Sequence, residues 1–293
     1  MVFRKLTIDN IQEVQPFFEM LKSRTCDFTV GGMFMWRDYY RMEYAIENGV
    51  FFSRLYDENG NVHYNLPVGE DIPAAIEALV AYEKQASSIV RFCTIPEEYL
   101  PAFSQEHMVF EAEEQDSYFD YLYQAEDLIS LHGKKFSGQR NQISQFKRAN
   151  ESWHFEDLTA ENLGAVRAFF LSAYHAASDA TDFEREENQK VLEVLDHLDD
   201  YGMVGGVLYA GSEVVGFSLG EIIHDTLFTH IEKADRSVKG AYQMLVNQFA
   251  ARFADGRVQF INREEDMGDE GLRRAKQAYH PITQLKKYSI EVE

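Results

Sequence analysis

The strongest constraint on this chain is that it resembles itself. Residues 3–18 read FRKLTIDNIQEVQPFF and residues 155–170 read FEDLTAENLGAVRAFF. At an offset of 152 the copies share Phe3/Phe155, Leu6/Leu158, Thr7/Thr159, Asn10/Asn162, Val14/Val166, Phe17/Phe169 and Phe18/Phe170. Similarity at so long a period points to two related units rather than one continuous fold. Each copy reads as a short strand followed by a helix. Thr7 and Thr159 suit the N-cap, and Asp9 and Glu161 sit in the first turn, where the helix dipole favours a negative charge.

The elements downstream of each copy run in a similar order. After the second come a helix over 184–198 and strands over 204–210, 213–221 and 227–232. A helix over 240–253, a strand over 258–262, a helix over 270–278 and a strand over 284–292 complete it. In the first half, helix 9–24 precedes strands near 42–46, 50–55 and 62–66, with Asn48-Gly49 and Asp57–Gly60 as turns. Helix 72–85, opened by Pro73, leads to strand 88–94, a short helix 96–103 and strands 108–112 and 118–123. The expectation is an α/β chain of mixed sheets, with units at 1–125 and 151–293 and a basic connecting segment at 126–150. Its 293 residues, 45% of them hydrophobic, suffice for two packed cores.

The net charge of −21 opposes indiscriminate binding to nucleic acid, and DNA is not an expected partner. The polar start Met1–Lys5 does not read as a signal peptide, and no apolar run approaches the roughly 20 residues of a membrane helix. Cys26 and Cys93 form no metal or redox pattern and read as reduced thiols of a cytoplasmic protein. The histidines lack HxxxH or HExxH spacing, so no metal site is expected, and no GxSxG elbow is present. The oligomeric state is not legible.

The order of elements resembles the GNAT acyltransferase fold, a mixed sheet that splays between its central strands. The tandem arrangement resembles the peptidoglycan-bridge aminoacyltransferases and the C-terminal domain of phosphatidylglycerol lysyltransferase. The residues that carry this are Gly133-Lys134-Lys135 with Arg140-Asn141, Lys239–Gln243, Asn262–Gly268, and Gly271–Arg273 through Ala275-Lys276 to Tyr279–Pro281. On these motifs the chain is similar to an uncharacterised bacterial family related to that lysyltransferase domain. The resemblance implies two tandem GNAT-like acyltransferase domains, with the chemistry in the second.

Residues 128–150 hold Lys134, Lys135, Arg140, Lys147 and Arg148 and no acid, a local reversal of sign. Lysines ahead of a helix suit a phosphate or another anion; a solvated basic linker is the alternative. In GNAT enzymes a Gly-rich turn opening a helix holds the pyrophosphate of coenzyme A. The equivalent stretch here, Arg236–Tyr242 with Lys239, Gly240 and Ala241, is incomplete in either register, and Tyr242 would hinder close approach. That disfavours ordinary acetyl-CoA use.

Asn262-Arg263-Glu264-Glu265-Asp266 lies just beyond an apolar strand, where open α/β sheets form ligand sites. Asn262, Arg263, Asp266 and Arg273 are candidate substrate-binding residues. The resemblance assigns Tyr279 as general acid toward the leaving group. Attack by an amine or hydroxyl also needs a base, for which Glu264 and then Glu232 are the candidates. An ion-pair network pinning the last helix is the structural alternative. Together these features read as acyl or aminoacyl transfer to an amine or hydroxyl, with aminoacyl-tRNA or a coenzyme A thioester as donor. A non-catalytic module binding a small anionic ligand or a partner is a different class of answer.

Overall fold

The computed structural model describes residues 1–84, 89–105, 108–175 and 182–293. The expected end of a helix at Gln85 and start of a strand at Ser88 fall outside the described residues. Two compact units are present: one of 1–120, 265–273 and 284–293, the other of 121–264 and 274–283.

The first unit contains Arg4–Lys5 (β1), Ile11–Phe18 (α1), Val30–Phe34 (α2), Glu43–Glu47 (β2), Val50–Tyr56 (β3) and Val62–Tyr64 (β4). Ile72–Glu83 (α3), Val90–Pro96 (β5) and Phe110–Glu114 (β6) come next. Asn48 and Gly49 take φ of +53° and +75°, the left-handed pair that a two-residue hairpin between β2 and β3 requires.

The second unit is built on Asp120–Gln124 (β7), Ala125–Ser130 (α4), Ser137–Ala149 (α5), His154–Asp157 (β8) and Leu163–Phe170 (α6). Then come Asp182–Asp196 (α7), Leu198–Tyr201 (α8), Val204–Ala210 (β9), Glu213–Ile223 (β10) and Thr226–Ala234 (β11). Ala241–Phe253 (α9) and Phe260–Asn262 (β12) complete the series; Glu270–Gln277 (α10) falls partly in each unit, and Thr283–Leu285 (β13) and Lys287–Val292 (β14) follow it.

The first sheet runs β1-β2-β3-β4-β5-β14-β6, and the second contains β7-β12-β11-β10-β9-β8 in order. Each has a central parallel pair flanked by antiparallel neighbours. In the first, β4 meets β5 only at Tyr64↔Phe92; in the second, β11 pairs with β12 from Thr226↔Phe260 to Phe228↔Asn262. Beyond those pairs the strands part, as expected for the GNAT-like fold.

The division expected at 125 and 150 differs from this partition. The last strand, β14, pairs with β5 and β6 in the first unit, while β7 pairs with β12 in the second. The basic segment joins the second unit: Phe136, Ile143 and Phe146 are buried in the core beneath α9. Strand pairing between distant segments sets these memberships, and local patterning carries no record of it.

The repeated motif makes the same contacts in both copies. Asn10 Oδ1 accepts from the Thr7 N–H at 3.0 Å, and Asn162 Oδ1 from the Thr159 N–H at 2.8 Å. Phe17 and Phe18 pack on Phe51 at ring separations of 5.7 and 6.1 Å; Phe169 and Phe170 pack on Phe217 at 6.3 and 6.1 Å. The helix expected over 9–24 is shorter, Ile11–Phe18.

Candidate functional site where the second sheet parts

β11 stays paired with β12 only as far as Phe228↔Asn262. Past that point the backbone of β12 is held from its other side, with Arg263 N–H donating to Tyr121 O and Tyr121 N–H to Glu264 O. The opening is therefore fixed by β7 on one side and by β10 on the other. β10 and β11 shift register between Leu219 and Gly220, so that Leu219 pairs with Ile231 and Gly220 with Thr229. His230 is the extra residue of this bulge. A bulge turns the side chains beyond it onto the opposite face. Leu227 joins the core beneath α9, whereas Phe228 stacks on His230. After the bulge it is Glu232 that faces α9.

Glu232, Thr229, Ile261 and Arg263 of the sheet and Leu128, Val246, Phe249 and Ala250 of α4 and α9 line a narrow cleft, closed too tightly here to hold a water molecule. Arg263 donates Nε at 3.1 Å and Nη2 at 2.6 Å to the same oxygen, Oε2 of Glu232. Its guanidinium lies 4.8 Å from the ring centre of Tyr279. Lys276 Nζ donates to the Arg263 carbonyl, so side chain and backbone are both held.

Two polar atoms here are buried with no hydrogen-bond partner among the described residues: Arg263 Nη1 and Tyr279 Oη. Native interiors rarely tolerate this, because each such donor costs about 1–3 kcal/mol. Burial works against the Arg263 charge, but Glu232 and the surrounding tyrosines outweigh it and raise its pKa further. Burial also pushes the Tyr279 phenol above its ordinary value, so it stays protonated and donates. Ser218 Oγ is a third such atom, on the residue paired with Glu232 across β10 and β11.

Of the residues expected to share a site, Glu232, Arg263 and Tyr279 are brought together. Asn262 is buried and accepts the Glu264 N–H at 2.6 Å, shaping the turn after β12. Glu264, with φ +58°, points to His230 rather than into the cleft. Asp266 and Arg273 lie in the first unit and pair with each other at 2.8 and 3.0 Å.

Lys135 pairs with Asp127 at 2.8 Å, and Arg140 donates to the Leu131 and Gly133 carbonyls. These contacts favour a structural use of the basic segment, and Lys134 opens the turn ahead of α5. Gly240 caps α9 with φ +82°, next to Lys239 and the buried Ala241. A Cβ on Gly240 would come within 2.3 Å of the Gln142 carbonyl oxygen, so α5 lies directly against the start of α9.

Two clusters were not legible in the sequence. His230 is buried and donates Nδ1 to Glu264 at 2.7 Å and Nε2 to Glu221 at 2.8 Å. Burial opposes its charge, but the two carboxylates overcome this and raise its pKa to about 10. In the first unit, Lys287 is buried 2.7 Å from Asp27, 2.8 Å from Asp120 and 3.5 Å from Cys26 Sγ. Burial is again the opposing effect, outweighed by Asp120 and Asp27, which hold the ammonium charged. Cys26, Asp120 and Glu265 form a group of metal-type ligands, but the Lys287 ammonium already neutralises it in part. Spacings of 93 residues or more separate Asp27, Asp120 and Lys287, so no local motif announces them.

Residues 18–291 match the family model described as phosphatidylglycerol lysyltransferase, C-terminal. The chain belongs to this family. A conserved protein of unknown function from Bacteroides thetaiotaomicron is 28% identical, with 99% of each chain covered and a TM-score of 0.85. L-PGS from Bacillus licheniformis shares the fold at 14% identity and a TM-score of 0.69, over 95% of this chain and 90% of that one. An uncharacterised Mycoplasmoides gallisepticum protein is 22% identical over 179 residues, which is 60% of this chain and 57% of that protein's length. The family name denotes an aminoacyltransferase. Among the described residues no helix is long and apolar enough to cross a membrane.

Proposed function

We propose that the second unit transfers an aminoacyl group from an activated ester to a hydroxyl or amine acceptor. One observation carries this reading: Arg263 Nη1 and Tyr279 Oη are buried donors without partners, beside a carboxylate, where the sheet parts. An acyl carbonyl placed between the two donors would gain both hydrogen bonds as its oxygen becomes an oxyanion. Glu232 takes the proton from the attacking oxygen or nitrogen as the new bond to the acyl carbon forms. As the oxyanion collapses to the new carbonyl the ester carbon–oxygen bond breaks, Tyr279 turns its proton to the departing oxygen, and the proton held by Glu232 restores the phenol. A phenol with a raised pKa suits a leaving alkoxide of high basicity. Glu264, bound to His230, is less well placed than Glu232 as the base.

Aminoacyl-tRNA is the donor this reading favours. A coenzyme A thioester would bring its pyrophosphate to the start of α9, where the bulky Tyr242 hinders close approach. Phosphatidylglycerol, the acceptor named in the family description, is the first acceptor to test. With net charge −21, tRNA affinity should be modest and fall steeply with salt. The test offers the purified protein labelled aminoacyl-tRNA or acyl-CoA, with phosphatidylglycerol vesicles or a primary amine as acceptor. Label passing from aminoacyl-tRNA, and lost in Tyr279→Phe, supports the proposal. Turnover from acyl-CoA alone would reverse the choice of donor, and label from neither donor would favour a binding module.

A further inference from the structure

Arg263 can serve as an oxyanion donor only if its guanidinium stays turned into the cleft after β11 and β12 have parted. The Glu232 pair fixes one edge of the guanidinium, but Glu232 itself stands on the strand that has moved away. A second tie spans the same gap. His230, on the bulge of β11, donates Nε2 at 2.8 Å to Glu221 of β10 and Nδ1 at 2.7 Å to Glu264, the residue after Arg263. Its side chain is 1% exposed and that of Glu221 6% exposed, whereas Glu264 reaches 23%. The chain Glu221–His230–Glu264 therefore joins β10, β11 and the segment after β12.

We propose that His230 is a positioning residue: by holding Glu264 it fixes the neighbouring Arg263, and with it the direction of Nη1. This rests on the transfer reading for its catalytic consequence, but the positioning itself can be tested without activity. Three observations support it. The bulge sends His230 to the face opposite Glu232, so the two ties grip successive residues, Arg263 and Glu264, from opposite faces. Glu264 has φ +58°, a left-handed conformation unfavourable to its side chain that surrounding contacts must hold. Asn262 and Tyr121 constrain the Glu264 backbone, and His230 is the partner that holds its carboxylate.

The test tracks the Nε–H resonance of Arg263 in protein labelled with ¹⁵N-arginine, identified by its loss in Arg263→Lys. The resonance should be sharp and slow to exchange in the parent. His230→Leu and Glu264→Leu should each broaden it or speed its exchange at least several-fold, and the double variant should add nothing further. Glu264→Gln keeps an acceptor for Nδ1–H and should restore the signal. Glu264→Leu, at the more exposed end, keeps the test open if His230→Leu does not fold. An unchanged resonance in folded Glu264→Leu would overturn the proposal.

Where transfer is detected, these variants should lower kcat by about 10- to 100-fold, the scale of a displaced catalytic group, with KM within a factor of two. Absence of transfer in a parent whose Arg263 resonance responds in this way would remove the transfer reading and leave the positioning intact.

Discussion

Arg263 gives two of its donor nitrogens to a single oxygen of Glu232 and keeps the third, Nη1, buried and unbonded. An ion pair made only for stability would be expected to use its donors more fully, since a buried unpaired donor carries a cost without a return in folding. With the phenol of Tyr279 in the same state, the arrangement is that of a site awaiting an acceptor atom.

Removing the Tyr279 hydroxyl should therefore separate function from stability. Tyr279→Phe takes away a buried group that has no partner, so the melting temperature should stay the same or rise slightly, by up to about 1 kcal/mol in stability. Transfer should fall by about 100-fold, the scale of losing one oxyanion donor. Thermal melts and initial rates on the same preparation check both halves.

His230 should make the protein sensitive to alkali. Its pKa in the folded protein is about 10, above the ordinary 6.5, so the folded state holds a proton that the unfolded chain releases. The stabilisation is complete below pH 6.5 and is lost as pH rises through 10, by on the order of a few kcal/mol. Urea unfolding between pH 6 and pH 10 should show this slope, and His230→Leu should flatten it.

Lys287 should be among the costliest side chains to remove. Lys287→Ala leaves Asp27 and Asp120 facing each other inside the first unit and should cost about 3–5 kcal/mol. Replacing Lys287 by Met together with Asp120 by Asn should recover part of that loss. Denaturant titrations of the single and double variants give the comparison.

Gly240 should resist any side chain. Its φ of +82° and the 2.3 Å approach to the Gln142 carbonyl combine strain with a backbone clash, so Gly240→Ala should cost about 2 kcal/mol or more. A melt showing less than about 0.5 kcal/mol would mean that α5 yields readily against α9.

The repeat made the fold legible because each copy carries its own local signals: a capped helix, a Phe pair and a strand Phe to receive it. The order of elements along the sequence was legible for the same reason, whereas the parting of the central pair was implied by the resemblance to GNAT enzymes. What stayed hidden depends on long-range pairing. Nothing near residues 287–292 says that this strand belongs with β5 and β6 in the first unit. The site divided in the same way. Glu232 and Arg263 stood out as polar groups at strand ends and Tyr279 through the resemblance, whereas His230 was hidden by a bulge that breaks the alternation of faces. Glu264 and Asp266 look equivalent to Arg263 in sequence, but a left-handed residue at 264 turns the chain and sends each to different partners.

The most direct measurement is calorimetric binding of an aminoacyl-adenosine whose ester is replaced by an amide, compared across the parent, Arg263→Lys and Tyr279→Phe. Each variant should bind at least about tenfold more weakly, the loss of one buried hydrogen bond to a carbonyl, while remaining folded. Equal affinity in all three proteins would show that Nη1 and Oη do not meet the acyl group, and would contradict the account.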